Sequence, residues 1–287
     1  MSQRVRHQKG GNVTYTLSVE EKKAFHEDGF LIVPQLINQE NIQELLNHTV
    51  GIMQGEVIVP GQIDPPPPDA TIEEIEQRYI RIHQLHFHLE IHERYLLHAR
   101  ILDVLEGLIG PDVMAMQTML FLKAPDQIGQ GYHQDSYYIP TRPDTLCGAW
   151  IALDDADEEN GCVWFVQGTQ HEPISHEAQN VSHDDVNLNG LGKIAAKYPD
   201  NEVPAVMKSG DVAFFGGHVI HRSHSNKSKT RFRRAFVGHY ANARSWTHWG
   251  APLDECRNSN QILARGNTHL PYAVPKFGTM CAATQVN

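Results

Sequence analysis

The chain has 287 residues, with 24 Lys and Arg against 34 Asp and Glu, for a formal charge of −10 and an isoelectric point near 5.9. That balance excludes a nucleic-acid partner, which needs a basic face to release counterions. No apolar run approaches the roughly 20 residues that span a bilayer, so no membrane partner is expected either.

The start, MSQRVRHQKGGNVTYT, is polar and lacks the apolar stretch of a signal peptide; residues 1–15 read as a mobile tail. Four cysteines, Cys147, Cys162, Cys256 and Cys281, show no C-x-x-C spacing, which suits free thiols in the reducing cytoplasm. The length fits one domain over 16–287, with a helical part over 16–110 and a β core over about 111–242.

Ser18 followed by Glu21 is a capping-box pattern that opens a helix, Gly29 ends it, and Phe30–Val33 reads as a buried strand. Asn38 caps the next helix, in which Ile42, Leu45, Leu46, Thr49, Ile52 and Met53 share one face. DPPPPD at 64–69 is a surface loop, because consecutive prolines fix φ and remove donors. From Ile72 a helical pattern resumes and runs to the stop at Gly110-Pro111. His88 and His92 stand four apart within it, but no carboxylate or third ligand completes a metal set, so they read as packing.

After Pro111 the texture becomes strand-like. DVMAMQTMLFLKAP, LCGAWIALDDAD, GCVWFVQGTQ, VPAVMKSGDVAFFGG and RFRRAFVGHYA are short apolar or alternating runs bounded by turn formers, which predicts a sandwich or barrel. The polar stretch 172–200 between two of them is long enough to be a lid. The tail from Ala251 to Asn287 carries no clear pattern.

The chemistry concentrates in YHQDSYYIP at 132–140. In an extended segment residues i and i+2 share a face, so His133 and Asp135 project together while Gln134 points away. GGHVIHRSHSN offers His218, His221 or His224 as a third donor. Two imidazoles and one carboxylate occupy one face of an octahedral iron(II) and leave three positions for a bidentate cosubstrate and dioxygen. Folding RSHSNKSKTRFRR as a hairpin about Lys227 sets His221 opposite Arg233, whose guanidinium suits a carboxylate of that cosubstrate.

These segments together resemble the phytanoyl-CoA dioxygenase family of iron(II)- and 2-oxoglutarate-dependent oxygenases. The resemblance runs from about Leu17 to about Tyr240 and rests on DGFLIV, HQD at 133–135, AWIALDDADEENGCVWFVQGTQH at 149–171 and GDVAFFGGHVIHRSHSN at 210–226. It implies a mainly β fold with flanking helices, a double-stranded β-helix of the jelly-roll, cupin-like kind. It also implies His133, Asp135 and His221 as metal ligands, because only His221 is followed by Ser two later and Asn five later, here Ser223 and Asn226. By the same matching Arg233 binds the far carboxylate of 2-oxoglutarate, and Ser223, Trp150 and Gln117 line that pocket. One departure is Gly216, where relatives often carry a histidine after the FF pair. Asp135 stands where halogenating relatives have Gly or Ala, which favours hydroxylation.

The implied reaction uses Fe(II), 2-oxoglutarate and O2, releases succinate and CO2, and hydroxylates an unactivated C–H bond of a small-molecule substrate. Tyr137, Tyr138, Trp246 and Trp249 are candidates for an aromatic substrate wall. A zinc-binding jelly-roll hydrolase or binding module is the alternative, since two His and one Asp also suit zinc. It leaves Arg233 and Ser223 without a role.

Overall fold

The structure, a computed structural model, describes residues 14–176, 190–247, 261–268 and 273–279. Its first three α-helices begin where the sequence supplies caps. Helix α1 (Val19–Asp28) starts at the Ser18–Glu21 capping box and ends at Gly29, whose φ of 85° is the left-handed conformation glycine adopts without a Cβ clash. Strand β1 (Phe30–Val33) follows. Helix α2 (Gln39–Gln54), capped by Asn38, buries Ile42, Leu45, Thr49, Ile52 and Met53.

The predicted continuous helix from Ile72 to Gly110 is instead broken into pieces. Helix α3 (Ile72–Gln77) ends early, strand β2 (Arg81–His83) intervenes, and helices α4 (Glu90–Leu96) and α5 (Ala99–Ile109) follow. The break has a tertiary cause. Ile82 pairs with Leu120 of the next strand, Gln84 takes a left-handed φ of 58°, and its N–H donates to Thr118 O at 2.7 Å. Ladder bonds there outcompete a helical pattern that the apolar spacing alone suggested.

The remaining elements are β3 (Val113–Lys123), β4 (Gln130–His133), α6 (Asp135–Tyr138), β5 (Cys147–Ala152), β6 (Val163–Val166), α7 (Leu191–Ala195), β7 (Glu202–Pro204), β8 (Val212–Gly216), β9 (His221–Ser223), β10 (Arg233–Asn242) and β11 (Ile262–Arg265). They form two antiparallel sheets. The major one has the order β1-β8-β5-β10-β3-β11 with β2 also on β3, and the minor one runs β4-β9-β6-β7. This is the jelly-roll-like architecture expected, as two sheets without closure into a continuous barrel. β11 falls in the tail that sequence patterning left unassigned. The candidate lid falls partly on 177–189, outside the described residues, with α7 just beyond.

Strand alternation divides the major sheet into two faces. Leu120, Leu122, Ile151, Phe214, Phe236 and Tyr240 join Leu45, Ile52, Leu96 and Leu102 from the helices in one core. The opposite face carries Trp150, Phe215 and Val237, which pack with Phe165 and Met207 of the minor-sheet side. Residues on that inner face are thus aimed at whatever lies between the sheets.

The hairpin expected about Lys227 does not form, because β9 and β10 lie in different sheets. His221 pairs with Phe165 and His133, whereas Arg233 pairs with Lys123. The crossing between sheets is fixed by Asn226, 1% exposed, whose Nδ2 donates to Arg231 O at 2.7 Å and whose Oδ1 accepts from Ser228 N at 3.0 Å. Among the described residues no helix is long and apolar enough to cross a membrane.

In the histidine-rich stretch His86 and His92 are buried, whereas His83 and His88 are exposed. His92 is 0% exposed, with its ring 5.3 Å from that of His48 and 5.5 Å from Phe236, and His88 Nε2 lies 3.4 Å from Gln62 Nε2. Burial holds His86 and His98 down to about 4 and His92 well below the usual imidazole range. On unfolding these rings take up protons that the folded chain refuses, so stability rises with pH across that window. The protein is expected to lose stability as pH falls from about 6.5 toward 4, by up to roughly 3 kcal/mol each for His86 and His98, with His92 adding in the same direction. His92→Phe should shift the acid midpoint in urea titrations to lower pH.

Candidate metal centre

The centre starts from one register. In the β4–β9 ladder His133 stands directly opposite His221, and the two rings have centroids 4.0 Å apart. Each Nδ1 lies 2.9 Å from the carbonyl two residues back, Gly131 O and Val219 O. An Nδ1–H donated to a carbonyl leaves Nε2 as the bare nitrogen. Accordingly the Nε2 atoms face the cavity, where Gln130 Nε2 donates to His133 Nε2 at 3.1 Å. Burial holds His133 down to about 3, so the ring is neutral and able to bind a cation.

Asp135 reaches the same point by a route the strand reading did not foresee. β4 ends at His133, Gln134 stays extended, and Asp135 opens α6. The shared projection of i and i+2 survives across this junction. Asp135 Oδ1 lies 3.8 Å from both His133 Nε2 and His221 Nε2, and one ligand atom from each of the three residues falls within 4.8 Å of the others. Burial pushes the Asp135 carboxyl up, but the facing imidazoles of His239 and His221 more than offset this and hold it below the usual carboxylate range. A donor set of two imidazole nitrogens and one carboxylate oxygen, with no thiolate, suits a divalent ion such as iron(II).

Gln134 is held inward: its Nε2 donates to His218 O at 2.9 Å. His218 itself turns away, bonded to Glu172 O at 2.8 Å and paired with Asp144. His224 packs its ring edge on Trp164 at 5.4 Å. Neither joins the cluster.

The inner face of the major sheet supplies the rest of a cavity of about 340 Å3. Alternation on β10 brings Arg233, Val237 and His239 to it, and their neighbours Gln117, Met119 and Phe121 on β3 and Trp150 on β5 line it too. Arg233 is 2% exposed, its Nε donates to Gly161 O at 3.0 Å, and its guanidinium lies 5.6 Å from the Trp150 ring and 5.9 Å from Phe121. Burial lowers it only to about 10, so it stays charged. Among the described residues no carboxylate forms an ion pair with it. Ser223 lines the cavity and accepts from Lys123 Nζ at 3.0 Å.

Of the proposed substrate wall, Tyr138 lines the cavity. Tyr137 does not. It stacks edge-on against Tyr138 at 5.0 Å and is 36% exposed. Trp246 is likewise outside, 37% exposed and bridged to Arg142. Trp249 lies outside the described residues. Sequence reading missed His239 and Lys123. The signal for His239 was present, since residues 233, 235, 237 and 239 alternate on one predicted strand.

The sequence pattern of the phytanoyl-CoA dioxygenase (PhyH) family matches residues 25–235. The chain belongs to that family. A peroxisomal phytanoyl-CoA dioxygenase of Bos taurus is 32% identical over 234 residues, covering 79% of this chain and 69% of the relative. Among solved structures, the alpha ketoglutarate-dependent carbocyclase SnoK has a TM-score of 0.63 at 22% identity, covering 83% of this chain and 89% of that one. The epimerase SnoN, in complex with Fe3+, alpha ketoglutarate and nogalamycin RO, has a TM-score of 0.61 at 18% identity, covering 89% and 94%. As a PhyH-family member the chain is an enzyme of the iron(II)- and 2-oxoglutarate-dependent oxygenase class.

The placement of α6 depends on a close approach. Ser136 N donates to Gly217 O at 2.9 Å, and a Cβ added at Gly217 would meet Ser136 Oγ at 2.2 Å and Leu146 Cβ at 2.9 Å. At the adjacent Gly216 the nearest atoms would be at 3.9 Å. Gly217→Val is expected to cost about 1–3 kcal/mol in urea unfolding through overpacking, and Gly216→Ala to be near neutral. Equal costs for the two would contradict this packing.

Proposed function

We propose that this enzyme hydroxylates an unactivated C–H bond of a small organic metabolite, using iron(II), 2-oxoglutarate and O2 and releasing succinate and CO2. The observation that carries the reading is the pairing of two features in one cavity. His133, Asp135 and His221 present three donors to one point, and the buried Arg233 has no acidic partner among the described residues. A buried cation of this kind is costly unless paired, and a dicarboxylate anchored to the metal supplies the missing charge.

In this reading His133 Nε2, His221 Nε2 and Asp135 Oδ1 hold the iron, and Arg233 grips the distal carboxylate of 2-oxoglutarate beside Ser223. Trp150 and Phe121 wall the guanidinium and keep water from it. Bound iron and 2-oxoglutarate supply the oxidising power toward O2 that no side chain here possesses. The protein's own contribution is to orient the donors, fix the cosubstrate and shield the site. Arg233 favours this reading over a zinc hydrolase, which has no use for it.

The substrate proposed is compact and is not an acyl-CoA. The cavity is near the small end of the roughly 300–1,000 Å3 range for ligand pockets. In the basic stretch at 226–234, the natural place for CoA phosphates, three cations are already engaged by acids: Lys229 pairs with Asp126, Arg231 with Asp157 and Glu159, and Arg234 with Asp154. The buried free thiols of Cys147 and Cys162 suit a reducing compartment, and we place the enzyme in the cytoplasm.

Succinate formation stimulated by members of a metabolite library, followed by product analysis, tests the reaction. Arg233→Leu is expected to weaken 2-oxoglutarate binding roughly a hundredfold, the scale for truncating one partner of a buried charge pair, while Fe(II) uptake changes little. Unchanged 2-oxoglutarate binding in this variant would remove the assigned role of Arg233.

A further inference from the structure

We infer that His239, oriented by Gln117, holds Asp135 as a one-oxygen donor and so keeps three metal positions open; the inference rests on the metal role proposed above. The geometry is a chain of buried contacts running from the major sheet into the centre. Gln117 Nε2 lies 3.2 Å from His239 Nδ1, and His239 Nε2 lies 2.9 Å from Asp135 Oδ2. The three residues are 6%, 3% and 9% exposed. An amide donating to Nδ1 makes that nitrogen the acceptor and puts the imidazole proton on Nε2, where it is donated to the carboxylate.

The division of Asp135's oxygens follows. Oδ2 is occupied by His239, while Oδ1 is the atom 3.8 Å from both imidazole nitrogens. A carboxylate can bind a metal through one oxygen or both. Binding through both would take a fourth position and leave too few for a bidentate cosubstrate and dioxygen together. The hydrogen bond from His239 opposes that rotation and spends the second oxygen elsewhere.

The backbone is built to make this contact. Gln117 and His239 are cross-strand partners in the β3–β10 ladder, and the register shifts immediately beyond them, between His239 and Tyr240. Such bulges re-aim side chains beside active sites. Gln117 therefore acts through His239 in addition to lining the cosubstrate pocket. His239 and Gln117 are positioning residues.

The test is metal affinity, read by Co(II) titration of the metal-free full chain against a competing chelator. Wild type is expected to bind, His239→Leu to bind roughly 10–100-fold more weakly, the usual loss when an outer partner of a metal ligand is removed. His239→Gln, which keeps an N–H donor, should recover most of the affinity. The visible band of the anaerobic Fe(II) and 2-oxoglutarate complex should weaken in His239→Leu and return in His239→Gln. A merely structural role would lower thermal stability without this order of metal affinities. His239→Leu within about threefold of wild type, less than one hydrogen bond is worth, would overturn the inference, as would His239→Gln binding no better than His239→Leu. If His239→Leu fails to fold, Gln117→Leu decides: weakened Co(II) binding supports the relay, and unchanged binding overturns it. Wild type taking up no Co(II) would overturn the metal role itself, and this inference with it.

Discussion

The site depends on the antiparallel pairing of β4 with β9, which sets His133 directly opposite His221. Ladder hydrogen bonds fix that register, and a slip of one residue would turn one imidazole to the other face of the sheet. The same register places Ser223 opposite Gln130 and Val163, so His221 and the cavity-lining Ser223 both come from one short strand. The backbone carbonyls that accept from each Nδ1 are Gly131 O within β4 and Val219 O just ahead of β9. Strand pairing thus determines which nitrogen of each ring faces the cavity as well as where the ring sits.

The major sheet supplies the complementary half. Its outer face is committed to the helical core, with Phe236 and Tyr240 fully buried there, and alternation then directs Arg233, Val237 and His239 inward. One strand therefore carries the guanidinium and the imidazole that steadies Asp135, 6 residues apart in sequence and on one face. Burying an arginine with no acid partner among the described residues works against stability. The fold tolerates it through a carbonyl at Gly161 and two aromatic rings. In the proposed reading, a bound carboxylate would offset that cost.

Much of this was legible in the sequence because it is local. The capping box at Ser18, the cap at Asn38, the short strands after Pro111 and the i, i+2 relation of His133 and Asp135 each depend on a few neighbouring residues. The spacing of whole segments pointed to the family, which then singled out His221 among three nearby histidines. What was misread depends on distant pairing. The stretch from Ile72 to Gly110 has helical apolar spacing, but β2 within it is claimed by β3. The hairpin about Lys227 had plausible turn residues, yet its two arms belong to different sheets. Arg233 nevertheless reaches the cavity with His221, because the sheets face each other. Tyr137 adjoins the motif yet lies outside the cavity, because proximity in sequence does not set which side of α6 a ring takes.

The most direct measurement is a crystal structure of the anaerobic complex with Fe(II) and 2-oxoglutarate. The account requires electron density for one ion bounded by His133 Nε2, His221 Nε2 and a single oxygen of Asp135, with the distal carboxylate of 2-oxoglutarate on the Arg233 guanidinium. An ion held elsewhere, or a cosubstrate whose carboxylate points away from Arg233, would contradict it.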